Sequence, residues 1–127
     1  MSTKILTVDD SKMVRMIVSN TFQPFDCQIV TAADGAEGVE VALREKPDLI
    51  FLDITMPVLN GLETLEKIRK TPEIAQIPVV MLTAESDGQR LGTADQLKVS
   101  GYIAKPFKGE QLIELTQKIV PLNPKAS

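Results

Sequence analysis

The stretch that decides the fold is KILTVDD at residues 4–10, a short apolar run that ends in two aspartates. The same pattern returns as LIFLD at 49–53, VVMLT at 79–83 and YIAK at 102–105, where each run closes on an acid, a hydroxyl or a lysine. A short apolar run that is bounded by turn residues and alternates with helical patterns is typical of a buried parallel strand. Ligands of open parallel sheets bind beyond the carboxyl ends of the strands, so we expect these polar residues to converge on one site.

Helical patterns separate the strands along the whole chain. Ser11 is a candidate cap for the first helix. The apolar stripe of that helix is Met13, Val14, Ile17, Val18 and Phe22. After a more exposed strand at 28–32, Asp34-Gly35 opens a second helix. Its expected inward residues are Ala36, Val39, Ala42 and Leu43. Further helices are predicted near 62–71, within 86–98 and over a last stripe that ends at Val120.

Regular β-α alternation predicts the fold class: α/β, with a doubly wound five-stranded parallel sheet, five helices and right-handed crossovers. The common order for five such strands is 2-1-3-4-5, which puts the switch point between strands one and three. Asp9-Asp10 follow strand one and Asp53 ends strand three, so three carboxylates meet in one crevice. The neighbouring strands bring Thr83 and Lys105 to the same place.

Composition bounds the function. The 127 residues suffice for one domain, which we expect at 1–121 with a short tail at 122–127. A net charge of −3 without a lysine and arginine cluster makes direct nucleic acid binding unexpected. The lack of histidine excludes a serine-histidine triad and a histidine-ligated metal, and leaves Cys27 without an activating base. Apolar stretches stop at four residues and the first strand begins by Lys4, so we expect a cytoplasmic protein without signal peptide or membrane insertion.

The clustered carboxylates indicate a cation. Three acids in one crevice repel one another unless a positive charge lies beside them, and an all-oxygen ligand set favours Mg²⁺. A hydroxyl from Thr83 and a fixed charge from Lys105 then suit a phosphoryl group, with Asp53 as a possible nucleophile. Each acid alone could equally be a helix cap or a turn residue, and Asp9 is the most ambiguous of them.

Four motifs, in this order, resemble the receiver domain of bacterial two-component response regulators, such as its single-domain chemotaxis regulators. They are VDDS at 8–11, DITMP at 53–57 with Gly61, TA at 83–84 and KPF at 105–107. The resemblance covers essentially the whole chain and implies the flavodoxin-like receiver fold. It implies a phosphoacceptor switch, not an enzyme beyond self-catalysed phosphorylation and dephosphorylation. In this family the acid corresponding to Asp53 accepts a phosphoryl group from the phosphohistidine of a sensor kinase or phosphotransfer protein.

The resemblance also implies the ligands of Mg²⁺. Asp10, Asp53 and the backbone carbonyl of Thr55 would hold the ion, and Asp9 would help directly or through water.

The other site residues would bind the phosphoryl group. By resemblance, Lys105 and Thr83 would contact the phosphoryl oxygens, and the N–H of Ala84 would donate to them. Tyr102 matches an aromatic switch position, and the bond before Pro106 is often cis in the family.

Two departures from the family pattern stand out. Lys98-Val99 replaces the usual glycine-alanine pair before strand five, so the preceding helix lacks its C-terminal glycine. Thr55 and Glu85 occupy the variable positions beside the phosphoryl site and leave the lifetime of the phosphorylated state open.

We expect no output domain after the last helix, and therefore expect output by binding to an effector protein, as a monomer or a phosphorylation-dependent dimer. The helix within 86–98, strand five and the last helix would form that surface, possible pathways being chemotaxis or motility. A phosphorelay intermediate that passes its phosphoryl group to another histidine fits the same motifs.

Two further classes of protein fit the motifs less well. A metal-dependent aspartyl-phosphate hydrolase usually carries a second acid two residues after its nucleophile, where this chain has Thr55. A flavin carrier is disfavoured because Asp9-Asp10 would repel the flavin phosphate.

Overall fold

The structure, a computed structural model, describes residues 3–54, 60–83 and 96–125. Its strands are β1 (Thr3–Val8), β2 (Cys27–Ala32), β3 (Leu49–Asp53), β4 (Val79–Thr83) and β5 (Gly101–Ala104). The helices in the described ranges are α1 (Lys12–Thr21), α2 (Gly35–Glu45), α3 (Gly61–Lys70) and α4 (Gly109–Ile119). The strands form one parallel sheet in the order β2-β1-β3-β4-β5, which confirms the predicted topology. The helix predicted within 86–98 falls almost entirely outside the described residues.

Side-chain caps explain where three of the helices begin. The Ser11 hydroxyl accepts the N–H of Val14 at 3.3 Å, and the Asp34 carboxylate accepts the N–H of Glu37 at 2.8 Å. Each cap satisfies one of the backbone donors that a helix N-terminus leaves unpaired. Both residues were predicted to start helices, and both do. Asn60 starts α3 with a reciprocal capping box to Glu63.

Helices cover both faces of the sheet and create two cores. The α2/α3 core contains Leu6, Val8, Ala42, Ile50, Leu52, Leu65, Ile68 and Met81, among others. The α1/α4 core contains Ile5, Val18, Phe22, Leu49, Phe51, Leu82, Ile103 and Leu112, among others. Successive residues of a strand point to opposite faces, so β1, β3 and β4 each contribute side chains to both cores. That double burial is why their sequences are apolar runs rather than alternating patterns.

The inward faces of α1 and α2 are narrower than the sequence predicts. Met13 is 71% exposed and Ile17 is 37% exposed, although both belong to the predicted inward stripe of α1. On α2, Ala36 is exposed and Leu43 is 37% exposed, so these two predictions are also wrong. Val18 and Ala42, by contrast, are fully buried as predicted. A helix on a doubly covered sheet has a helical neighbour beside it, and only its central stripe reaches the strands.

The chain segment after α4 returns to the far end of the sheet from the acidic cluster. The N–H of Asp26 donates to the carbonyl of Asn123 at 2.6 Å, and the N–H of Lys125 donates to that of Pro24 at 2.9 Å. Phe25 and Pro124 form an antiparallel bridge between these two segments. The domain boundary at residue 121 stays a prediction. None of the helices in the described ranges combines the length and hydropathy needed to cross a membrane.

Two lysines among the described residues adopt the left-handed conformation. Lys46 ends α2 with a φ of 49°, and Lys98 has a φ of 61° just before β5. Lys98 is the position at which the sequence lacks the expected glycine. A residue with a side chain therefore adopts the backbone conformation that glycine would adopt without steric cost.

Replacing Lys98 by glycine should stabilise the protein. The left-handed conformation costs an L-residue about 1–2 kcal/mol, and the greater chain entropy of unfolded glycine offsets part of that gain. We expect Lys98→Gly to raise the free energy of unfolding by about 0.5–1 kcal/mol in urea titrations. The control is Lys67→Gly, the same substitution inside the right-handed helix α3, which should lower it by about 1 kcal/mol. A loss of stability in both variants would contradict the argument.

Candidate functional site

Three carboxylates converge beyond the carboxyl ends of β1 and β3. One oxygen atom from each of Asp9, Asp10 and Asp53 lies within 4.8 Å of the others. Asp9 and Asp53 are buried, whereas Asp10 is exposed. The donors are hard oxygen atoms without thiolate or imidazole, a set that suits Mg²⁺ with several waters retained. The residues present therefore fit the ion that the sequence predicts.

A lysine ammonium bridges two of these carboxylates. Lys105 Nζ lies 3.0 Å from Asp9 Oδ2 and 3.1 Å from Asp53 Oδ1. Burial by itself lowers the pKa of Lys105, but contact with Asp9 and then Asp53 outweighs it and holds the pKa above its ordinary value. Lys105 is therefore a permanent cation at physiological pH. The backbone N–H of Lys105 donates to the Thr83 carbonyl at 2.6 Å, and the bond to Pro106 is cis, as the resemblance implies.

Both the side chain and the backbone of Asp9 are held by hydrogen bonds. It is fully buried, and its Oδ1 accepts the N–H of Ser11 at 2.9 Å. Its own N–H donates to the Ala32 carbonyl at 3.1 Å, and its carbonyl accepts Nη1 of Arg15 at 2.6 Å. Asp9 is the most ambiguous acid in the sequence, and no sequence pattern indicates the contact with Arg15. The structure shows that Asp9 joins β1 to the first turns of α1.

Thr83 and Tyr102 lie on a different face of the sheet from Asp53. Thr83 is 7% exposed and ends β4. It lies two residues after Met81, which belongs to the α2/α3 core, and therefore on the same face of the sheet. Tyr102 pairs in register with Met81 and is partly buried against the same core. Asp53 lies two residues after Phe51 and therefore on the same face of the sheet as Phe51, which belongs to the α1/α4 core. Thr83 and Tyr102 therefore share a face, and the roles given to them stay predictions.

Two of the predicted site residues, Thr55 and Ala84, lie outside the described residues. The structure therefore gives no geometry for the carbonyl of Thr55 or the N–H of Ala84.

Gly61 is required by a close approach of α3 to the backbone of Asp53. A Cβ atom added to Gly61 would lie 2.1 Å from the Asp53 carbonyl oxygen and 2.6 Å from the Cα of Ile54. The Gly61 N–H donates to the Ile54 carbonyl at 2.7 Å. Backbone cannot move aside as a side chain can, so the start of α3 and the end of β3 are locked together only because residue 61 has no side chain.

Comparison with known proteins defines the class. The sequence profile of the response regulator receiver domain matches residues 5–117. The chain therefore belongs to the response regulator receiver domain family of two-component signalling. This result confirms the resemblance found in the sequence motifs.

Individual relatives agree with that assignment. PilH of Pseudomonas aeruginosa is 32% identical over 92% of this chain and 97% of its own length. Sporulation initiation phosphotransferase F of Bacillus subtilis is 30% identical over 96% of this chain and 97% of its own length. The crystal structure of chemotaxis protein CheY4 of Vibrio cholerae matches with a TM-score of 0.88 and 32% identity, over 94% of this chain and 100% of that chain.

Other relatives are longer. The probable transcriptional regulator ycf27 of Porphyridium aerugineum is 34% identical over 98% of this chain but only 50% of its own length. The chain spans about half the length of the curated relatives of this kind.

Gly61→Ala should destabilise the protein and disturb the site. The added methyl collides with backbone, so we expect a loss of about 1–3 kcal/mol in the free energy of unfolding, together with a shifted Asp53 amide signal in NMR spectra. The matched control is Gly109→Ala, whose Cβ would meet the Thr21 side chain at 3.0 Å, where rotation can relieve the contact. That variant should change stability by less than about 0.5 kcal/mol. Equal losses in the two variants would show that the contact with Asp53 is not special.

Proposed function

We propose that this receiver is a response regulator phosphorylated on Asp53 in a Mg²⁺-dependent reaction. The observation that supports this best is the Lys105 ammonium, held 3.0 Å from Asp9 and 3.1 Å from Asp53 within a cluster of three acids. A fixed cation beside a buried carboxylate stabilises an incoming phosphoryl group, which carries about two negative charges.

The phosphoryl group would move from a histidine nitrogen of the donor to a carboxylate oxygen of Asp53. A carboxylate oxygen of Asp53 attacks the phosphorus of a phosphohistidine, the P–O bond forms and the P–N bond breaks. The released imidazole nitrogen takes up a proton from solvent, which leaves histidine on the donor. Mg²⁺, when held by Asp10, Asp53, the Thr55 carbonyl and Asp9, would neutralise the charge of the carboxylates and the phosphoryl oxygens. Lys105 would contact one phosphoryl oxygen and the Thr83 hydroxyl another, with the N–H of Ala84 as a further donor.

The switch would act through the face shared by Thr83 and Tyr102. Movement of the Thr83 hydroxyl towards the phosphoryl group would leave space for the Tyr102 ring, and phosphorylation would favour the rearranged state only by its differential stabilisation. A groove of about 290 Å³ beside Tyr102, lined also by Gln111, Leu115 and Lys118, lies on the proposed effector surface of β5 and α4.

We further propose the setting in which the switch acts. The receiver would comprise residues 1–121 and act in the cytoplasm without direct contact with nucleic acid. It would act as a monomer or a phosphorylation-dependent dimer. A role as relay intermediate is the second candidate, favoured by the match to sporulation initiation phosphotransferase F along nearly the whole of both chains.

Labelling with acetyl phosphate tests the phosphoacceptor directly. With Mg²⁺ and a labelled phosphoryl group, the protein should take up one acid-stable, base-labile label, and Asp53→Asn or removal of Mg²⁺ should abolish it. The matched control is Asp34→Asn, which changes charge equally but keeps a good cap for α2, and it should label like the unmodified protein.

Three outcomes would contradict the proposal. Continuous release of phosphate over many turnovers without a stoichiometric label on the protein would indicate a hydrolase. A label retained by Asp53→Asn would place the acceptor elsewhere, and a label that forms equally without Mg²⁺ would remove the metal from the reaction.

The outer face of α1 supports a protein as the phosphodonor. Met13, Met16 and Ile17 are 71%, 53% and 37% exposed, on the helix that begins directly after Asp10. Exposed methionines are adaptable contact residues, and these lie in the first turns of the helix that follows Asp10 in the chain. A donor domain that places its phosphohistidine over Asp53 would cover this face of α1.

Substitution of these methionines should separate protein donors from small ones. We expect the double variant Met13→Ser/Met16→Ser to slow phosphotransfer from a histidine kinase of the same genome roughly fivefold or more, as for loss of about 1 kcal/mol of contact. Labelling by acetyl phosphate should be unchanged. Leu43→Ser, at an exposed apolar residue on α2, is the control. Equal transfer to the double variant and the unmodified protein from every kinase would exclude this docking face.

A further inference from the structure

Arg69 binds four backbone carbonyls that belong to two different segments. Its Nη1 donates to the carbonyls of Ala75 at 3.1 Å and Ile77 at 2.9 Å, in the connection between α3 and β4. Its Nε donates to the Leu97 carbonyl at 2.8 Å and its Nη2 to that of Lys98 at 3.3 Å, immediately before β5. We call this arrangement the Arg69 clasp.

The clasp uses the geometry of a guanidinium. Within the described residues, Arg69 is in no ion pair with a carboxylate, so carbonyl dipoles stabilise its charge. Burial lowers the pKa of Arg69 from its usual value, but guanidinium remains protonated at any physiological pH. The three nitrogens of the planar guanidinium all donate to carbonyls, which the single nitrogen of an ammonium cannot imitate. The clasp therefore joins α3, the α3–β4 connection and the residues before β5 by hydrogen bonds to one group.

Strand β5 needs such an anchor because it is short and pairs on one side only. It has four residues, and its register with β4 is Gly101 opposite Val80 through Ala104 opposite Thr83. A slip of one residue would turn every side chain of an edge strand to the other face. The first bond of this pairing, from the Ser100 N–H to the Val79 carbonyl at 2.8 Å, comes two residues after the clasp.

Lys105 is the residue that this register positions. It follows β5 directly, and its N–H reaches the Thr83 carbonyl at 2.6 Å only in the observed register. Its Nζ then lies between Asp9 and Asp53. An error of about 1 Å in the position of such a group can cost as much as a hundredfold in rate.

We infer that Arg69 is a positioning residue for phosphorylation: by clamping the carbonyls of Leu97 and Lys98 to α3, it sets the register of β5 and thereby places Lys105 against Asp53. This inference rests on the proposed function, since it assumes that Asp53 is the acceptor. Arg69 itself touches neither the acidic cluster nor any incoming phosphoryl group. Its effect on the reaction must pass through Lys105.

A double-mutant cycle tests that route. Arg69→Gln removes the positive charge and the planar set of N–H donors of the guanidinium. We expect the rate of labelling by acetyl phosphate to fall about tenfold. In a Lys105→Gln background, the same change should cause no further fall, because no ammonium remains to be misplaced. The matched control is Lys67→Gln, which removes an exposed charge from the same helical turn and should not alter the rate.

Amide hydrogen exchange gives a readout that does not depend on phosphorylation. Arg69→Gln should speed exchange of the Ser100 and Lys105 amides, which donate to Val79 and Thr83, and leave the β1–β3 amides unchanged. If Arg69→Gln does not fold, Arg69→Ala supplies the same test. The space left by the Arg69 side chain in this variant adjoins an open cavity of about 390 Å³ between residues 75–78 and 96–100. Millimolar ethylguanidinium should therefore enter that space and restore the protection of the Ser100 and Lys105 amides, and ethylammonium should not.

Each outcome distinguishes the inference from the proposed function. An unmodified protein that takes no label at Asp53 refutes the proposed function, and the exchange measurement still reports on the clasp. If Arg69→Gln is labelled at the same rate as the unmodified protein, the inference is refuted and the proposed function is not. The same fractional loss with and without Lys105 would show general destabilisation, and unchanged Ser100 exchange would show that the clasp does not fix β5.

Discussion

The contact on which the site depends is the ion pair of Lys105 with Asp9 and Asp53. Two buried carboxylates so close together would repel each other strongly in a medium of low dielectric constant. The ammonium compensates that charge, and the carboxylates in turn keep the pKa of the lysine above its ordinary value. The carboxyl ends of β1, β3 and β5 must lie at the same level of the sheet for the two carboxylates and the ammonium to meet.

The rest of the fold keeps those strand ends in place. The two cores fix β1 and β3, whose residues are buried on both faces. Gly61 allows α3 to abut the backbone of Asp53, and the Arg69 clasp connects that same helix to the residues before β5. Helix α3 therefore contacts the backbone of Asp53 at its first residue and the residues before β5 near its last. Asp10 and the outer face of α1 are exposed.

Much of this could be predicted from residue patterns. Apolar runs that end in Asp9-Asp10, Asp53, Thr83 and Lys105 have one simple explanation, because parallel strands align their carboxyl ends at one edge of a sheet. The caps at Ser11 and Asp34 were predictable because a short polar side chain before an apolar stripe satisfies a helix N-terminus. The inward residues of α1 and α2 were less predictable, because periodicity gives a stripe but not the width that neighbouring helices leave to the strands. Met13 and Leu43 are exposed for that reason.

The sequence by itself determined the class of fold, the strand order and the convergence of the three acids with Lys105, because these follow from local periodicity and from the geometry of parallel sheets. Only the tertiary structure decided that Asp9 is buried while Asp10 is exposed, since two adjacent acids have the same chemistry and differ only in the direction that the chain gives them. It also decided the partners of Arg69, whose carbonyl acceptors at Leu97 and Lys98 are 28 and 29 residues away along the chain. A hydrogen bond between a side chain and distant backbone leaves no periodic signal, because any residue type can supply the carbonyl.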